Sequence, residues 1–124
     1  MIDFNNAAFI KLKPANDDAF LDNISPIFVN GESVLGTYKG IRDGVVFTTH
    51  RIIAINVQGI TGKKKDFTSL PYSKIQSFSI ETAGTFDLDS ELELWFSGLG
   101  KVKLEFSSRA NVSEIARIIS ERIL

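Results

Sequence analysis

The chain of 124 residues carries 14 basic and 15 acidic residues, and 44% of its residues are apolar. This length is usual for one domain, and this apolar fraction can form a buried core without disulfides or metal ions. The near balance of charge argues against nucleic acid as a main partner, because neutralising phosphates needs a dense basic surface, and the absence of cysteine excludes thiol catalysis and thiolate metal sites.

We expect no signal peptide and no membrane span from the sequence. Residues 1–13 lack the basic start and the apolar run of a signal peptide. No segment approaches the ~20 apolar residues of a membrane span, and a cysteine-free chain is compatible with a reducing compartment, so we expect a cytoplasmic protein. Asp17–Ile24 predicts a short helix, which Pro26 limits. We therefore separate an N-terminal segment, residues 1–30, from a main domain, residues 31–124.

Seven segments of the main domain read as short β-strands, because apolar and polar residues alternate within them and glycine, proline or short polar turns separate them. They are Val34–Ile41, Val45–Thr48, Arg51–Val57, Lys65–Leu70, Lys74–Glu81, Glu91–Phe96 and Lys101–Phe106.

The alternation is clearest in the last two strands. Leu92, Leu94 and Phe96 lie on one face of the first, and Glu91, Glu93 and Trp95 lie on the other. A glycine-containing turn separates it from the next strand, which predicts an antiparallel hairpin. The outward acids of one strand should then lie near the outward lysines of the other.

A C-terminal helix is predicted after Asn111. The apolar residues there recur at spacings of three and four, which is one stripe of an amphipathic helix. Asn111 and Glu114 are spaced as in a helix-capping box. Strands followed by one such helix predict a mainly β fold, a strongly bent sheet whose open end the helix covers.

Four stretches occur in the order found in a known family. They are Phe47–Ile53, Gly59–Lys64, Leu70–Ile75 and Glu81–Asp87. Together they resemble the bacterial pleckstrin-homology-like (PH-like) domain family, and the resemblance covers about residues 31–124.

This resemblance implies a seven-stranded, two-sheet bent barrel with a C-terminal helix, in a stand-alone single-domain bacterial protein. It also implies a cyclic homo-oligomeric ring formed through neighbouring strands, which we expect to be a pentamer. A partly open barrel is compatible with this, because its edge strands must be charged, covered or paired, and a head-to-tail contact can close into a ring.

The residues that could carry catalysis are better explained without it. His50, the single histidine, lies in a predicted turn. Gly59–Lys64 lacks the spacing of a nucleotide-binding loop. Asp87, Asp89 and Glu91 lack the glycine and the final glutamate of a calcium loop. We expect no enzyme activity, cofactor or metal ion.

The leading hypothesis is a non-enzymatic scaffold that presents a repeated polar surface to a protein partner of unknown identity. Trp95 lies in the outward register of its strand, where either another part of the chain or a neighbouring subunit would cover it. The candidate interaction residues are Lys63, Lys64, Lys65, Glu91, Glu93, Trp95 and Lys103.

The alternative hypothesis is peripheral binding of anionic lipid or of a phosphorylated ligand. Eukaryotic relatives of the fold bind inositol phosphates through basic residues on the first hairpin and nearby loops. Here Lys39 and Arg42 form a fragment of such a pattern, with Asp43 beside it. The lipid hypothesis adds Lys63, Lys64 and Lys65, whose exposed charges would each contribute about 1 kcal/mol at an anionic surface, although membrane association is not expected to be the main function.

Overall fold

The computed structural model describes residues 1–5 and 9–124. Within them the chain forms eight strands: β1 (Phe9–Ala15), β2 (Val34–Lys39), β3 (Gly44–Thr48), β4 (Arg51–Gln58), β5 (Lys64–Pro71), β6 (Ile75–Glu81), β7 (Ser90–Phe96) and β8 (Gly100–Phe106). The helices are α1 (Leu21–Ile24) and α2 (Val112–Ile123), with 3-10 turns at Ser25–Ile27 and Tyr72–Lys74.

The mainly β fold with a C-terminal helix is confirmed, and all seven predicted strands are present. The short N-terminal helix is also present, although it is reduced to Leu21–Ile24. The strand count needs a correction, because β1 makes an eighth strand among the described residues.

Strand β1 joins the two halves of the sheet. The strands are ordered β5-β4-β3-β2-β1-β8-β7-β6. Neighbouring strands are antiparallel except β1 and β8, which are parallel. The predicted pair of sheets is therefore one continuous sheet, and its central strand comes from the segment that the sequence analysis set apart.

A bulge in β1 allows it to serve both halves. Phe9 and Leu12 pair with β8 across a register shift, whereas Lys13–Ala15 pair with β2. Between these parts Lys11 adopts a φ of 52°, a conformation that is uncommon for a residue with a side chain. The extra residue places both Phe9 and Leu12 in the core.

Aromatic side chains and α2 fill the main core. The Tyr38 ring meets the Phe106 ring edge to face at 5.1 Å between centroids. Ile115 and Ile119 of α2 are fully buried against this core. The Asn111 side chain caps α2 by accepting a hydrogen bond of 3.1 Å from the Glu114 backbone N–H.

A second, smaller cluster lies on the other face of β3 and β4. Ile53 and Ile55 pack there with Phe20 and Ile24. The residues of β3 are all buried, because the main core covers one face and the α1 region covers the other. This packing explains why a helix of only four residues is retained.

An ion pair fastens the loop before β2 to the β3–β4 turn. The Arg51 guanidinium donates hydrogen bonds to both carboxylate oxygens of Glu32, at 2.9 and 2.8 Å, and also donates to the Ile27 carbonyl. The Thr48 hydroxyl lies 2.7 Å from the same carboxylate. The Glu32 side chain is completely buried, so this pair belongs to the framework of the fold.

Candidate interaction surface

The outer face of β6, β7 and β8 presents a half-exposed tryptophan. Trp95 is 48% exposed and lies between Ser77 of β6 and Lys101 of β8 in the strand register. A shallow cavity of about 360 Å³ lies beside it, and Ser79 and Glu93 contribute to its lining. The outward register predicted for Trp95 is therefore observed in the monomer.

Charged residues of β7 and β8 form diagonal pairs on the same face. Lys103 Nζ lies 3.2 Å from Glu91 Oε1, and Lys101 Nζ lies 3.9 Å from Glu93 Oε1. The hydrogen bond with Glu91 raises the pKa of Lys103. Strand alternation predicted this proximity of acids and lysines, and the surface is polar around Trp95 because of it.

The sheet has two ends, β5 and β6. Within the described residues each of these strands pairs with one neighbour only. Ser77, Ser79 and Glu81 are exposed along β6. Near β5, the Met1 amino group lies 2.9 Å from Asp66, a contact with a side chain rather than with the strand backbone. Strand edges of this kind carry N–H and C=O groups that another strand can pair with.

The loop between β6 and β7 carries both exposed apolar and acidic side chains. The side chains of Phe86 and Leu88 are exposed there. Lys11 of the β1 bulge lies 3.3 Å from Asp89 at the end of this loop. Burial, and then the neighbouring Asp89, raise the pKa of Glu105, which lies on β8 behind the loop.

Two hairpin turns lie side by side at the other candidate site. The Arg42 guanidinium, in the β2–β3 turn, donates a hydrogen bond to the Gly59 carbonyl in the β4–β5 turn. Lys39 is exposed and pairs across the sheet with Lys13 of β1. The same turns expose two apolar side chains, Ile41 and Ile60.

The structure divides the predicted interaction residues into two groups. Glu91, Glu93, Trp95 and Lys103 share one face of β7 and β8. Residues 63–65 are exposed at the β4–β5 hairpin, in the other half of the strand order. The Lys39 and Arg42 turn lies beside that hairpin, so the alternative set of basic residues is brought together.

Sequence reasoning missed several residues of these surfaces. It did not single out Lys101, which lies opposite Trp95, nor the exposed side chains of Ile41, Ile60 and Phe86. Apolar residues beside glycines in turns were the available signal.

His50 is exposed in the β3–β4 turn, where its Nδ1 lies 2.7 Å from the Thr49 hydroxyl.

Comparisons with known proteins agree with this architecture. A family described as "Bacterial PH domain" matches residues 3–123. The uncharacterized protein YjqA of Bacillus subtilis (strain 168) is 43% identical over 104 residues, which span 82% of this chain and 83% of that protein. The uncharacterized protein YozO of the same strain is 33% identical over 100 residues, spanning 81% and 86%.

Solved structures show the same fold. A DUF1696 family protein with a pleckstrin-homology domain from Shewanella loihica PV-4 superposes with a TM-score of 0.82 at 39% identity, covering 93% of this chain and 99% of that one. A pleckstrin homology domain from Shewanella amazonensis SB2B gives a TM-score of 0.69 at 38% identity, covering 96% and 93%.

A bent sheet closed by one C-terminal helix, with two open strand edges among the described residues, defines a PH-like domain. The chain belongs to the bacterial PH domain family. Domains of this family are typically non-catalytic binding modules. Among the described residues no helix is long and apolar enough to cross a bilayer.

Proposed function

We propose that this protein is a non-enzymatic, cytoplasmic scaffold that assembles into a cyclic homo-oligomer, expected to be a pentamer, and presents a repeated polar surface to a protein partner. The observation that carries the proposal is the pair of dissimilar edges, β5 and β6, at the two ends of one sheet. A contact between two different edges is head to tail, and such a contact closes into a ring when its rotation permits.

The two edges match in length and in charge. Strand β5 has eight residues and β6 has seven. In antiparallel pairing, the end of β6 at Glu81 would face the beginning of β5 at Lys64 and Lys65 of the next subunit. Opposite charges facing each other across strands favour such a register. The contact would satisfy edge groups that a monomer leaves to water.

Trp95 lies one strand in from the β6 edge, so a neighbouring subunit docked on that edge would approach it. Half-exposed tryptophans are enriched among residues that dominate binding energy at interfaces. A ring would repeat the Glu91, Glu93 and Lys103 face once in each subunit, and a multivalent partner would then bind more tightly than to one copy.

The test is the absolute mass by light scattering across a dilution series. We expect a stable multimer of the 13.7 kDa chain. Glu81→Lys should lower the mass, and Glu81→Lys combined with Lys65→Glu should restore it. Glu121→Lys, an exposed change on α2, is the charge-matched control. A wild-type monomer at every concentration would refute the proposal.

A second candidate function is the binding of anionic lipid by the two adjacent hairpin turns. Exposed Ile41 and Ile60 lie beside Lys39, Arg42 and the lysines of residues 63–65. Apolar tips surrounded by cations suit the surface of an anionic bilayer, where buried apolar area and charge attraction add.

This candidate predicts sedimentation with phosphatidylserine vesicles but not with phosphatidylcholine vesicles. Attachment should weaken with salt and disappear when residues 63–65 are changed to glutamine. Glutamine at Lys74, Lys101 and Lys103, three exposed lysines outside these turns, removes the same charge and is the matched control. Absence of binding at low salt would eliminate this function.

A further inference from the structure

The cavity beside Trp95 has the size and the lining of a site for a small group. Its volume of about 360 Å³ is near the lower end of the usual range of binding pockets, about 300–1,000 Å³. On its β6 side the lining is Ser77 and Ser79, whose small side chains leave space beside the indole ring. Because Trp95 is half-exposed, an occupant of this cavity would contact the indole.

Glu93 is the carboxylate of this cavity, and its pairing is loose. Lys101 Nζ lies 3.9 Å from Glu93 Oε1, which is too long for a hydrogen bond. Glu91, in contrast, lies 3.2 Å from Lys103 Nζ. Lys101 and Glu93 are both partly exposed, so their pairing contributes little stability. A cation in better geometry can therefore replace Lys101 at little cost.

A row of three glutamates crosses the same face beyond the cavity. In the strand register Glu81 of β6 lies directly opposite Glu91 of β7, which lies directly opposite Glu105 of β8. Like charges in such positions repel, and Lys103 pairs with the middle one. Burial, and then the neighbouring Asp89, raise the pKa of Glu105. A cationic partner would relieve this repulsion, and an anionic partner would increase it.

The whole half sheet is acidic, although the chain is nearly neutral. Residues 75–106, which form β6, β7, β8 and their connections, contain six acidic and two basic residues. Complementary charge steers a partner to a surface and fixes its orientation there. The surface around Trp95 therefore favours a partner that is basic.

The indole and the carboxylate together suit a guanidinium group. The face of an indole ring attracts cations more strongly than that of the other aromatic side chains. Glu93 and Trp95 are two residues apart on one face, about 6.6 Å along the strand, so a planar cation stacked on the indole lies close to the carboxylate. Arginine stacks on aromatic faces and donates two parallel hydrogen bonds to a carboxylate, which the compact ammonium of lysine does not do.

We propose that Trp95 and Glu93 bind an arginine side chain from an extended basic segment of the protein partner. The inference rests on the proposed function and names the chemistry that the polar surface recognises. A second cation of the segment would lie over the row of glutamates, because Glu91 is four residues from Trp95, about 13 Å along the strand. Pairing of β5 with β6 extends the sheet in its own plane, so the assembly would leave this outer face open.

The sequence contains a single tryptophan, so tryptophan fluorescence reports on this site alone. The probe is the peptide acetyl-Arg-Ser-Ser-Ser-Arg-amide, added to the full chain at low salt. We expect a saturable shift of the Trp95 emission to shorter wavelength, because the peptide displaces water from the ring. The same peptide with citrulline in place of both arginines has the same shape without the charge. It should bind more weakly by a factor of about ten or more, as expected when charge-assisted hydrogen bonds are lost.

Three variants locate the binding site. Glu93→Gln keeps the size of the side chain and removes its charge, so it should weaken peptide binding about tenfold. Glu121→Gln removes the same charge from an exposed position on α2 and should leave the affinity unchanged. Trp95→Leu keeps an apolar group without an aromatic face, and calorimetry should show an affinity about fivefold lower. Circular dichroism checks that each variant is folded, which is expected because the changed side chains are at least partly exposed.

Four results would overturn the inference. They are equal binding of the arginine and citrulline peptides, equal affinity of the wild type and Glu93→Gln, and an emission that does not change up to millimolar peptide. The fourth is an emission that shifts to longer wavelength when the protein alone is diluted, because a second copy would then cover Trp95. If light scattering shows a multimer and the peptide does not bind, the assembly stands and this site is wrong. If a monomer binds the peptide, this site stands and the ring is wrong.

Discussion

Replacing Arg51 with methionine tests the ion pair that fastens the loop before β2 to the β3–β4 turn. The substitution leaves the Glu32 carboxylate completely buried without its cation. Removing one partner of a buried pair costs about 3–5 kcal/mol, and because the Arg51 side chain is 18% exposed we expect a value near the lower end. Such a loss is a large part of the usual stability of a domain, about 5–15 kcal/mol.

The pKa of Glu32 gives the pH dependence of this effect. Burial alone would raise it, but hydrogen bonds from Arg51, Thr48 and the Val29 N–H, together with the Arg51 charge, lower it from 4.5 to about 2. A carboxyl whose pKa is lower in the folded protein than in the unfolded chain stabilises the fold fully when the pH is above its unfolded pKa. This stabilisation is lost as the pH falls through its folded pKa. The contribution is therefore full above pH 5 and disappears toward pH 2.

The destabilisation caused by Arg51→Met should therefore be smaller in acid. At pH 3 the wild type has lost about 2 kcal/mol of this contribution, whereas burial in the variant favours the protonated carboxyl. We would measure urea unfolding by circular dichroism at pH 7 and pH 3, with Glu32→Gln in both backgrounds as the control. An equal loss of stability at both pH values would refute the reasoning.

Three further predictions concern stability and use the same unfolding assay. Asn111→Ala should cost about 1 kcal/mol because the α2 cap is lost, and an equal loss in Ser113→Ala, the exposed neighbour, would contradict this. Gly44→Ala should lower stability by about 1–3 kcal/mol because its new methyl group would overlap the Phe20 ring. The loss should be smaller when Phe20→Leu is also present, and an equal loss in that background would show that another contact is responsible. Lys103→Gln should leave the midpoint of unfolding unchanged despite its pairing with Glu91, because the pair is exposed to solvent, and a clear shift of the midpoint would mean that this charged face is structural.

The strands with one solvent-exposed face and one buried face could be predicted from sequence. Leu92 and Leu94 are fully buried and Trp95 is exposed, as the alternation in β7 required. The C-terminal helix could be predicted for a similar reason, because Ile115 and Ile119 repeat with the helical period and both are buried. In these elements one periodicity continues from end to end.

Strand β1 could not be predicted in the same way. The bulge at Lys11 puts both Phe9 and Leu12 into the core, so the buried positions are three residues apart and the period of two is broken. Pro14 also argues against a strand inside a sheet, because it has no N–H to donate. The identity of β1 depends on partners that lie far away in the sequence.

The candidate surfaces were predictable to different extents. The exposure of Trp95 followed from the alternation within one strand. The contact between Arg42 and the Gly59 carbonyl joins two turns that come together only after four strands have paired. No local pattern specifies such a neighbour, so the sequence did not show that the exposed side chains of Ile41 and Ile60 lie on adjacent turns.

The position of β1 has a consequence for how the chain reaches its native state. The pairing of Phe9 with Leu104 and of Leu12 with Phe106 joins nearly opposite ends of the sequence. During synthesis, the edge of β1 that pairs with β8 would stay unpaired until β8 had left the ribosome. Contacts of such high sequence separation slow folding, because the entropy of closing a long loop is lost before the contact forms. We therefore expect the two half sheets to become native together in the final step.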